Sequence, residues 1–244
     1  MNFVGIIPAR YGSQRFPGKP LAKIKGKTMI ERVYTQTAKA LENVYIATDD
    51  IRIENEVKRF GGKCIMTKSS HKSGTDRLAE AINSIQEKNK EYYDVVINVQ
   101  GDEPFIHPEQ IKELCGCFDD EQTEIATLAK YISENEEIFN PNLPKLITNH
   151  HNEALYFSRS PIPHIRGEEE CRWAEKHSFK KHLGMYGYRT DILKKLTALP
   201  PSSLEKAESL EQNRWLEFGY KIKIRMTAYK NYPVDTPGDL KDIE

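Results

Sequence analysis

The chain has 244 residues, of which 38% are hydrophobic and 30% are charged, a composition typical of one folded domain. Its 36 basic and 36 acidic side chains cancel, which argues against nucleic acid as the main partner. Four cysteines without paired zinc-ligand spacing argue against a disulfide scaffold and favour a reducing compartment, the cytoplasm. The sequence has neither a signal-peptide pattern nor a long apolar run, so we expect no membrane segment.

Short runs rich in valine and isoleucine alternate with amphipathic segments in the first half of the chain. This pattern predicts a parallel sheet covered by helices on both faces. The predicted strands are Phe3–Ile7, Val44–Ala47, Lys63–Met66 and Val95–Val99, and the predicted helices are Met29–Ala40, Ile51–Phe60 and Asp76–Gln86. Ligands of such sheets bind at the carboxyl ends of the strands, so a site is expected in the segments that follow them.

The second half of the chain is less regular. Its predicted strands are Ile125–Ala129, Leu155–Phe157, Leu183–Tyr188 and Ile222–Thr227, with helical sequence near Lys206–Phe218. We expect these strands to extend the same sheet, so that the whole chain forms one α/β domain.

The segment PARYGSQRFPGKPL directly follows the first predicted strand. Its cations and small residues are Arg10, Arg15, Lys19, Gly12, Ser13 and Gly18. A loop that offers backbone N–H groups and fixed cations at a strand end suits a polyphosphate. The spacing matches neither the P-loop nor the dinucleotide-binding fingerprint. A solvated basic loop is the alternative that these residues leave open.

Two carboxylates in distant segments are candidates for a metal site. Asp102 lies in NVQGDEP, just after the most apolar predicted strand, and Asp235 lies in VDTPGDL near the other end of the chain. Mg²⁺ is commonly bound by one or two carboxylates together with substrate phosphates, and two such residues on one metal would suit nucleotidyl transfer. The alternatives are a β-turn at Asp102 and a helix N-cap at Asp235.

Several further polar residues are compatible with a nucleoside and a sugar. Ser73 in HKSGTDR follows the third predicted strand, where a base or ribose would lie, although it also suits a helix cap. The remaining candidates are Arg159 for a carboxylate and His182, Tyr188, Glu211 and Gln212 for sugar hydroxyls. Taken singly, each of them has a surface or structural role as its alternative.

The ordered motifs of the chain resemble those of the 3-deoxy-manno-octulosonate (Kdo) cytidylyltransferases, which activate Kdo for lipopolysaccharide synthesis. The resemblance covers almost the whole chain, through IIPARYGSQRFPGKPL, IATDD, HKSGTDRLAE, NVQGDEPFI, LYFSRSPIP, HLGMYGYR, LEKAESLEQNR and VDTP. It implies a Rossmann-like nucleotidyltransferase fold, a three-layer α/β/α sandwich with a mixed, mostly parallel central sheet. It also implies a single domain over residues 1–244, with a CTP-binding half over 1–110 and a sugar-binding and dimerisation part over about 125–200. A homodimer is the expected assembly.

The resemblance also implies roles for individual residues. The nucleotide CTP would be bound by Ala9, Arg10, Ser13, Arg15, Lys19, Ser73, Arg77 and Gln100. The sugar Kdo would be bound by Arg159, His182, Tyr188, Glu211 and Gln212. Magnesium would be held by Asp102 and Asp235, and the catalytic residues would be Lys19, Arg10, Asp102 and Asp235.

The chain departs from the family pattern at three positions, where Thr28 replaces a usual proline, Asn213 a usual leucine and Gly238 a usual glutamate. None of these positions is a proposed ligand. Two other functions stay open at this point: a cytidylyltransferase for another acidic sugar, such as 8-amino-Kdo or a nonulosonate, and a non-catalytic nucleotide-binding protein.

Overall fold

The computed structural model describes residues 1–12, 16–71, 73–234 and 236–241. Its strands are β1 (Phe3–Ala9), β2 (Lys23–Ile24), β3 (Lys27–Thr28), β4 (Val44–Thr48), β5 (Cys64–Met66), β6 (Val95–Asn98), β7 (Ile125–Tyr131), β8 (Lys145–Thr148), β9 (Ala154–Ser158), β10 (Lys180–Arg189) and β11 (Ile222–Met226). Its α-helices are α1 (Met29–Thr37), α2 (Ile51–Arg59), α3 (Gly74–Asn89), α4 (Pro108–Cys115), α5 (Asn135–Phe139), α6 (Trp173–Lys176), α7 (Thr190–Thr197), α8 (Ser203–Glu208), α9 (Glu211–Glu217) and α10 (Pro237–Lys241).

The chain divides into two units. The first comprises Met1–Cys115, Gly187–Thr197 and Tyr229–Glu244, and the second comprises Gly116–Tyr186 and Ala198–Ala228. Strand β10 belongs to both, because residues 180–186 fall in the second unit and residues 187–189 in the first.

The sheet of the first unit has the strand order β10–β6–β1–β4–β5. Strand β1 pairs in parallel with both β4 and β6, and β4 pairs in parallel with β5. All residues of β4 and β6 are buried, which explains why these strands are apolar runs without polar alternation. The apolar side chains of the central strands form the core of this unit.

The chain order of these strands determines where the sheet opens. From β1 the chain moves through α1 to β4 and through α2 to β5, and it then returns through α3 to β6 on the other side of β1. Because parallel crossovers are right-handed, α3 covers the face opposite α1 and α2. The connections after β1 and β6 therefore diverge, and ligands of such sheets bind at this switch point.

Local signals in the sequence set the ends of the helices in this unit. The Asp50 carboxylate caps α2, and Gly61 ends that helix region with a left-handed φ of +77°. Ser73 and Asp76 form a capping box at the start of α3. Gly5 on β1 allows α1 to approach closely, since a Cβ there would lie 3.1 Å from the side chain of Thr37 at the end of that helix.

In the second unit, β7 pairs in parallel with β11, and β8 pairs antiparallel with both β10 and β9. Among the strands of the described residues β9 pairs only with β8, so it is an edge strand of this unit. Phe157, Phe179 and Trp215 are among its fully buried side chains. This unit therefore has its own apolar core.

The predicted fold class, a nucleotidyltransferase-like sandwich with a mixed, mostly parallel sheet, is confirmed. All the predicted strands are present, with ends that differ by a few residues. The elements that were not predicted are β2, β3, β8, α4, α5, α6 and α7. The assignment of residues 1–244 to a single domain stays a prediction. None of the helices within the described ranges is both long and apolar enough to span a bilayer.

Candidate active site

The loop after β6 lies against the end of β1 at the switch point of the first unit. Gly101, in the loop after β6, lies so close to the end of β1 that a Cβ there would be 2.9 Å from the carbonyl oxygen of Pro8. Only glycine fits at this distance without moving one of the two backbones. The sequence GDE thus places Asp102 beside the start of the basic loop.

Lys19 and Asp102 form the central contact of this site. Lys19 Nζ lies 2.9 Å from Asp102 Oδ2, and it also donates to the carbonyl oxygen of Val234 at 2.9 Å. The backbone N–H of Val234 in turn donates to the carbonyl oxygen of Asp102 at 3.0 Å. Three segments that are distant in the sequence therefore meet at one ammonium group.

An apolar cluster beneath this contact holds the C-terminal segment in place. Val234 is fully buried with Ile24 and Met29, and Phe105 and Leu240 pack against them. Asp235 itself lies outside the described residues, and its predicted role as a metal ligand is untested. Its chain neighbour Val234 is nevertheless hydrogen bonded to Asp102, so the two predicted metal ligands belong to segments that meet.

The ends of the basic loop are fixed by a glycine and an aromatic ring. Gly18 has a φ of +74°, and its N–H donates to the carbonyl oxygen of Tyr11 at 2.9 Å. The Arg52 guanidinium stacks on the Tyr11 ring, 3.3 Å from its centroid, while forming an ion pair with Asp50. Arg10 is exposed at the start of this loop. The other two predicted phosphate ligands, Ser13 and Arg15, lie outside the described residues.

The residues predicted for the nucleoside lie at or after the carboxyl ends of three strands of the first unit, β1, β5 and β6. Ala9 ends β1 and is buried, and Gln100 follows β6 and is half-buried. Ser73 caps α3, since its hydroxyl accepts from the Asp76 N–H at 3.1 Å. The helix-cap alternative is therefore correct for Ser73, and it does not conflict with a second contact to a ribose.

Arg77 is buried rather than presented to solvent. Its guanidinium donates to the Thr67 hydroxyl, and one terminal nitrogen lies 3.3 Å from Asp49 Oδ2. Asp49 directly follows β4 and was not singled out in the sequence analysis, although its place after a strand in IATDD is the signal that could have identified it. In this structure Arg77 orders the strand ends, and its contact with CTP stays a prediction.

In the second unit, Arg159 is held by backbone carbonyl groups. Its Nε donates to Glu208 at 2.7 Å, its Nη1 to Pro141 at 2.9 Å and its Nη2 to Ser209 at 3.4 Å. A guanidinium has five N–H groups, so these bonds leave one N–H on each terminal nitrogen. One donor on each terminal nitrogen allows a guanidinium to bind a carboxylate in a bidentate manner.

His182 is a neutral imidazole in this environment. Its ring packs 5.1 Å from that of Phe157 and 5.2 Å from that of Tyr186, and removal from water lowers its pKa to about 3. The Thr127 hydroxyl lies 3.0 Å from His182 Nε2 and donates to the Met185 carbonyl at 2.6 Å. The single hydroxyl proton goes to the closer Met185 carbonyl, so we assign Nε2 as the donor to Thr127 and Nδ1 as an acceptor.

The other predicted sugar ligands differ in accessibility. Glu211 is half-buried at the start of α9, with Oε1 3.6 Å from Arg214 Nη2, and Gln212 beside it is buried. Tyr188 is completely buried and belongs to the first unit. The predicted role of Tyr188 as a sugar ligand therefore needs a rearrangement to expose its hydroxyl, and it stays a prediction.

Within the part of the chain that the structure describes, no group of three or more His, Cys, Asp or Glu side chains could hold a metal ion. Asp102 offers carboxylate oxygens, the ligands that Mg²⁺ prefers, and one of them already binds a cationic ammonium. One protein carboxylate together with substrate phosphates is a common magnesium arrangement, so Asp102 fits the predicted ion.

Asn213 connects α9 with the edge strand β9 of the second unit. Its side-chain amide donates to the carbonyl oxygen of Phe157 at 2.9 Å and accepts from the Phe157 N–H at 3.3 Å. The amide thus satisfies the outward-facing backbone groups of an edge strand. This contact gives a structural reason for the departure from leucine, and it joins the helix of Glu211 and Gln212 to β9.

We predict that Asn213→Leu lowers the free energy of unfolding by about 2 kcal/mol, because it leaves two buried backbone groups without partners. The measurement is urea unfolding followed by circular dichroism. Asn89→Leu is the matched control, since Asn89 is exposed and its amide bonds the side chains of Tyr45 and Tyr93 instead of backbone groups. The control should change stability by less than about 0.5 kcal/mol. An Asn213→Leu protein as stable as the parent would contradict a stabilising role for the contact between Asn213 and the backbone of Phe157.

Comparisons with known proteins agree with this architecture. The sequence model of the family described as Cytidylyltransferase matches residues 4–224. The 3-deoxy-manno-octulosonate cytidylyltransferase of Parabacteroides distasonis is 56% identical over 99% of this chain and 96% of the relative. An 8-amino-3,8-dideoxy-manno-octulosonate cytidylyltransferase of Shewanella baltica is 45% identical over 100% of this chain and 98% of the relative.

A solved structure is similar along the whole chain as well. CMP:2-keto-3-deoxy-manno-octonic acid synthetase complexed with CTP superposes with a TM-score of 0.90 at 44% identity, covering 100% of this chain and 97% of that one. The resemblance carried by the sequence motifs is thereby confirmed. The chain belongs to the cytidylyltransferase family, and within it to the 3-deoxy-manno-octulosonate cytidylyltransferases.

Proposed function

We propose that this chain transfers CMP from CTP to the anomeric hydroxyl of Kdo, which yields CMP-Kdo and pyrophosphate for lipopolysaccharide synthesis. The observation that carries this proposal is the full-length relationship to Kdo cytidylyltransferases, at 56% identity for the one from P. distasonis. The site in the first unit supports it, because a basic loop and a carboxylate meet at the switch point of a parallel sheet.

In this proposal the nucleotide binds along the ends of β1, β6 and the segment before α3. Arg10, Ser13, Arg15 and Lys19 bind the triphosphate, and Ala9, Ser73, Arg77 and Gln100 surround the base and ribose. The contact between Lys19 and Asp102 supports the first set, because it holds a cation at the mouth of the basic loop. When CTP binds, Lys19 is available to offset the charge on the leaving pyrophosphate.

The cofactor in this proposal is Mg²⁺, held by Asp102 and Asp235 together with oxygens of the substrates. When bound, the ion supplies Lewis-acid chemistry, which polarises phosphoryl oxygen and makes a hydroxyl a better nucleophile at neutral pH. The side chain of Asp102 is about one-third exposed, so it is accessible to an entering ion. Lys19 neutralises this carboxylate while the ion is absent.

Most of the proposed sugar ligands lie in the second unit, and Tyr188 lies in the first. Arg159 binds the Kdo carboxylate through the two N–H groups that its backbone contacts leave over. His182 accepts from a sugar hydroxyl at Nδ1, and Glu211, Gln212 and Tyr188 are the further proposed hydroxyl ligands. A neutral His182 avoids placing a second cation next to the acceptor hydroxyl.

The reaction itself is a displacement at phosphorus. The anomeric oxygen of Kdo attacks the α-phosphorus of CTP, the bond to the bridging oxygen breaks on the opposite side, and the hydroxyl proton passes to solvent. The protein contributes mainly orientation and fixed charge, with Arg10 and Lys19 on the phosphates.

The assembly and cellular location are proposals as well. We propose a homodimer in the cytoplasm, as the family resemblance implies, with CTP and Kdo as the small-molecule partners and with no nucleic acid or membrane involved. Sedimentation equilibrium of the purified protein tests the dimer, since the monomer has a mass of 28.1 kDa.

The nearest alternative acceptor is the 8-amino analogue of Kdo. The relationship to the S. baltica protein, which is named for this sugar, is the observation that favours it. The two acceptors differ only at one substituent, so they share the carboxylate that Arg159 is proposed to bind.

The proposed function is tested by pyrophosphate release with Mg²⁺ and each pairing of CTP, UTP or ATP with Kdo, 8-amino-Kdo or N-acetylneuraminate. We expect pyrophosphate release only from the pairing of CTP with Kdo. Release with another acid would retain the nucleotide assignment and overturn the sugar. If a folded protein that binds CTP releases no pyrophosphate with any pairing, a non-catalytic nucleotide-binding protein is favoured instead.

We predict that Lys19→Ala and Asp102→Asn each lower kcat by about two orders of magnitude, because each removes a fixed charge from the reacting phosphates. Steady-state pyrophosphate release measures this effect, and the thermal melting temperature verifies folding. Lys23→Ala and Asp191→Asn are the matched controls, since both side chains are exposed. A folded Lys19 or Asp102 variant with near-normal turnover would remove that residue from the mechanism.

A further inference from the structure

Lys145 is a fully buried cation in the second unit that the proposed reaction does not use. It is the first residue of β8, and it lies in register with Ser158 at the end of β9. Its Nζ donates to the carbonyl oxygen of Asn140 at 2.8 Å and to that of Arg159 at 2.6 Å. Both acceptors are backbone carbonyl groups, so within the described residues this ammonium binds main chain and does not pair directly with a carboxylate.

Burial destabilises the charged form of Lys145. Removal from water lowers the pKa of Lys145 to about 8, the Glu208 carboxylate opposes this shift, and Arg159 adds to it. A buried ammonium is weak support for stability, because an apolar side chain of similar volume frequently serves as well. The feature that a methionine could not reproduce is the pair of N–H bonds to Asn140 and Arg159.

Arg159 is restrained from two sides by this contact and by Glu208. Lys145 binds its carbonyl oxygen, while the Glu208 carboxylate accepts from its backbone N–H at 2.9 Å and from the Ser158 hydroxyl at 2.7 Å. Burial alone would raise the pKa of Glu208, but these hydrogen bonds and the one from Tyr156 lower it, so Glu208 is ionised.

The same contacts determine where the guanidinium of Arg159 points. Its acceptors are the carbonyl groups of Pro141, next to Asn140, and of Glu208 and Ser209. Lys145 therefore fixes two things at once: the main chain of Arg159, and the Asn140–Pro141 segment that supplies one of the acceptors for its side chain.

We propose that Lys145 is a positioning residue for the sugar site, which holds Arg159 so that its two remaining N–H groups face the carboxylate of the acceptor. This inference rests on the proposed function, because it needs Arg159 to bind that carboxylate. Lys145 itself is fully buried and does not touch the substrate.

The test is the KM of Lys145→Met for each substrate, measured by pyrophosphate release. Loss of the two N–H bonds frees the main chain at Arg159, so the KM for Kdo should rise about tenfold. The KM for CTP should stay within about twofold, because the nucleotide residues lie in the first unit. A merely structural role would raise both constants or neither.

Lys180→Met is the matched control. Lys180 is partly buried, its Nζ donates to the Thr148 hydroxyl at 2.7 Å, and burial lowers its pKa too. Its ammonium binds Thr148 and not Arg159, so both KM values should stay within about twofold. If Lys145→Met does not fold, Lys145→Gln, which keeps an N–H donor, replaces it. Failure of both to fold, while Lys180→Met folds, would assign Lys145 to stability and overturn the proposal.

Arg159→Ala, alone and combined with Lys145→Met, separates this inference from the proposed function. If Lys145 acts through Arg159, the double variant should have nearly the KM for Kdo of Arg159→Ala. Fully additive effects, or an unchanged KM in folded Lys145→Met, would overturn the positioning role while leaving the function intact. An unchanged KM in Arg159→Ala would overturn the proposed carboxylate site, and the inference with it.

Discussion

The contact between Lys19 and Asp102 is the interaction on which the nucleotide end of the molecule depends. It joins the loop after β1 to the loop after β6, and Lys19 extends it to the carbonyl oxygen of Val234. The parallel sheet makes this contact possible, because its strand order opens a crevice beyond the carboxyl ends of β1 and β6. The close approach of Gly101 to Pro8 then determines how near the two loops lie. Backbone geometry thus places the charges that the proposed reaction requires.

The second unit positions its proposed sugar ligands by different contacts. Arg159 and the helix that carries Glu211 and Gln212 are held by polar side chains that bind main-chain groups. Asn213 bridges the backbone of Phe157, and Glu208 and Lys145 restrain the main chain of Arg159. Hydrogen bonds of this kind specify direction as well as distance, which suits a site that must recognise a polyhydroxy acid.

Much of the fold could be predicted from the sequence because the buried parallel strands are uniform apolar runs, as in VYIAT of β4. Strand β8 was not predicted, because it is four residues long and begins with a lysine after a proline. That lysine is buried by tertiary hydrogen bonds that no local pattern shows. Strand β10 begins at Lys180, ahead of the predicted start at Leu183, because KKH is polar yet pairs with β8.

The candidate site was predicted unevenly for similar reasons. Residues that directly follow strands, such as Asp102, could be located from the sequence, since the sheet carries them to one edge. The burial of Arg77 against Asp49 could not, because it depends on the side-chain contacts between two strand connections. The family resemblance supplied residue roles that geometry alone does not, and those at Ser13, Arg15 and Asp235 fall outside the described residues.

We propose that CTP and its metal bind beyond the carboxyl ends of β1 and β6, where Lys19 meets Asp102. The most direct test is a crystal structure of the protein with CTP and Mn²⁺, a metal located by its anomalous scattering. We expect a manganese peak within coordination distance of the Asp102 carboxylate, with Lys19 Nζ on a phosphate oxygen instead of on Asp102. A nucleotide bound elsewhere, with the contact between Lys19 and Asp102 intact, would contradict this placement of the nucleotide and its metal.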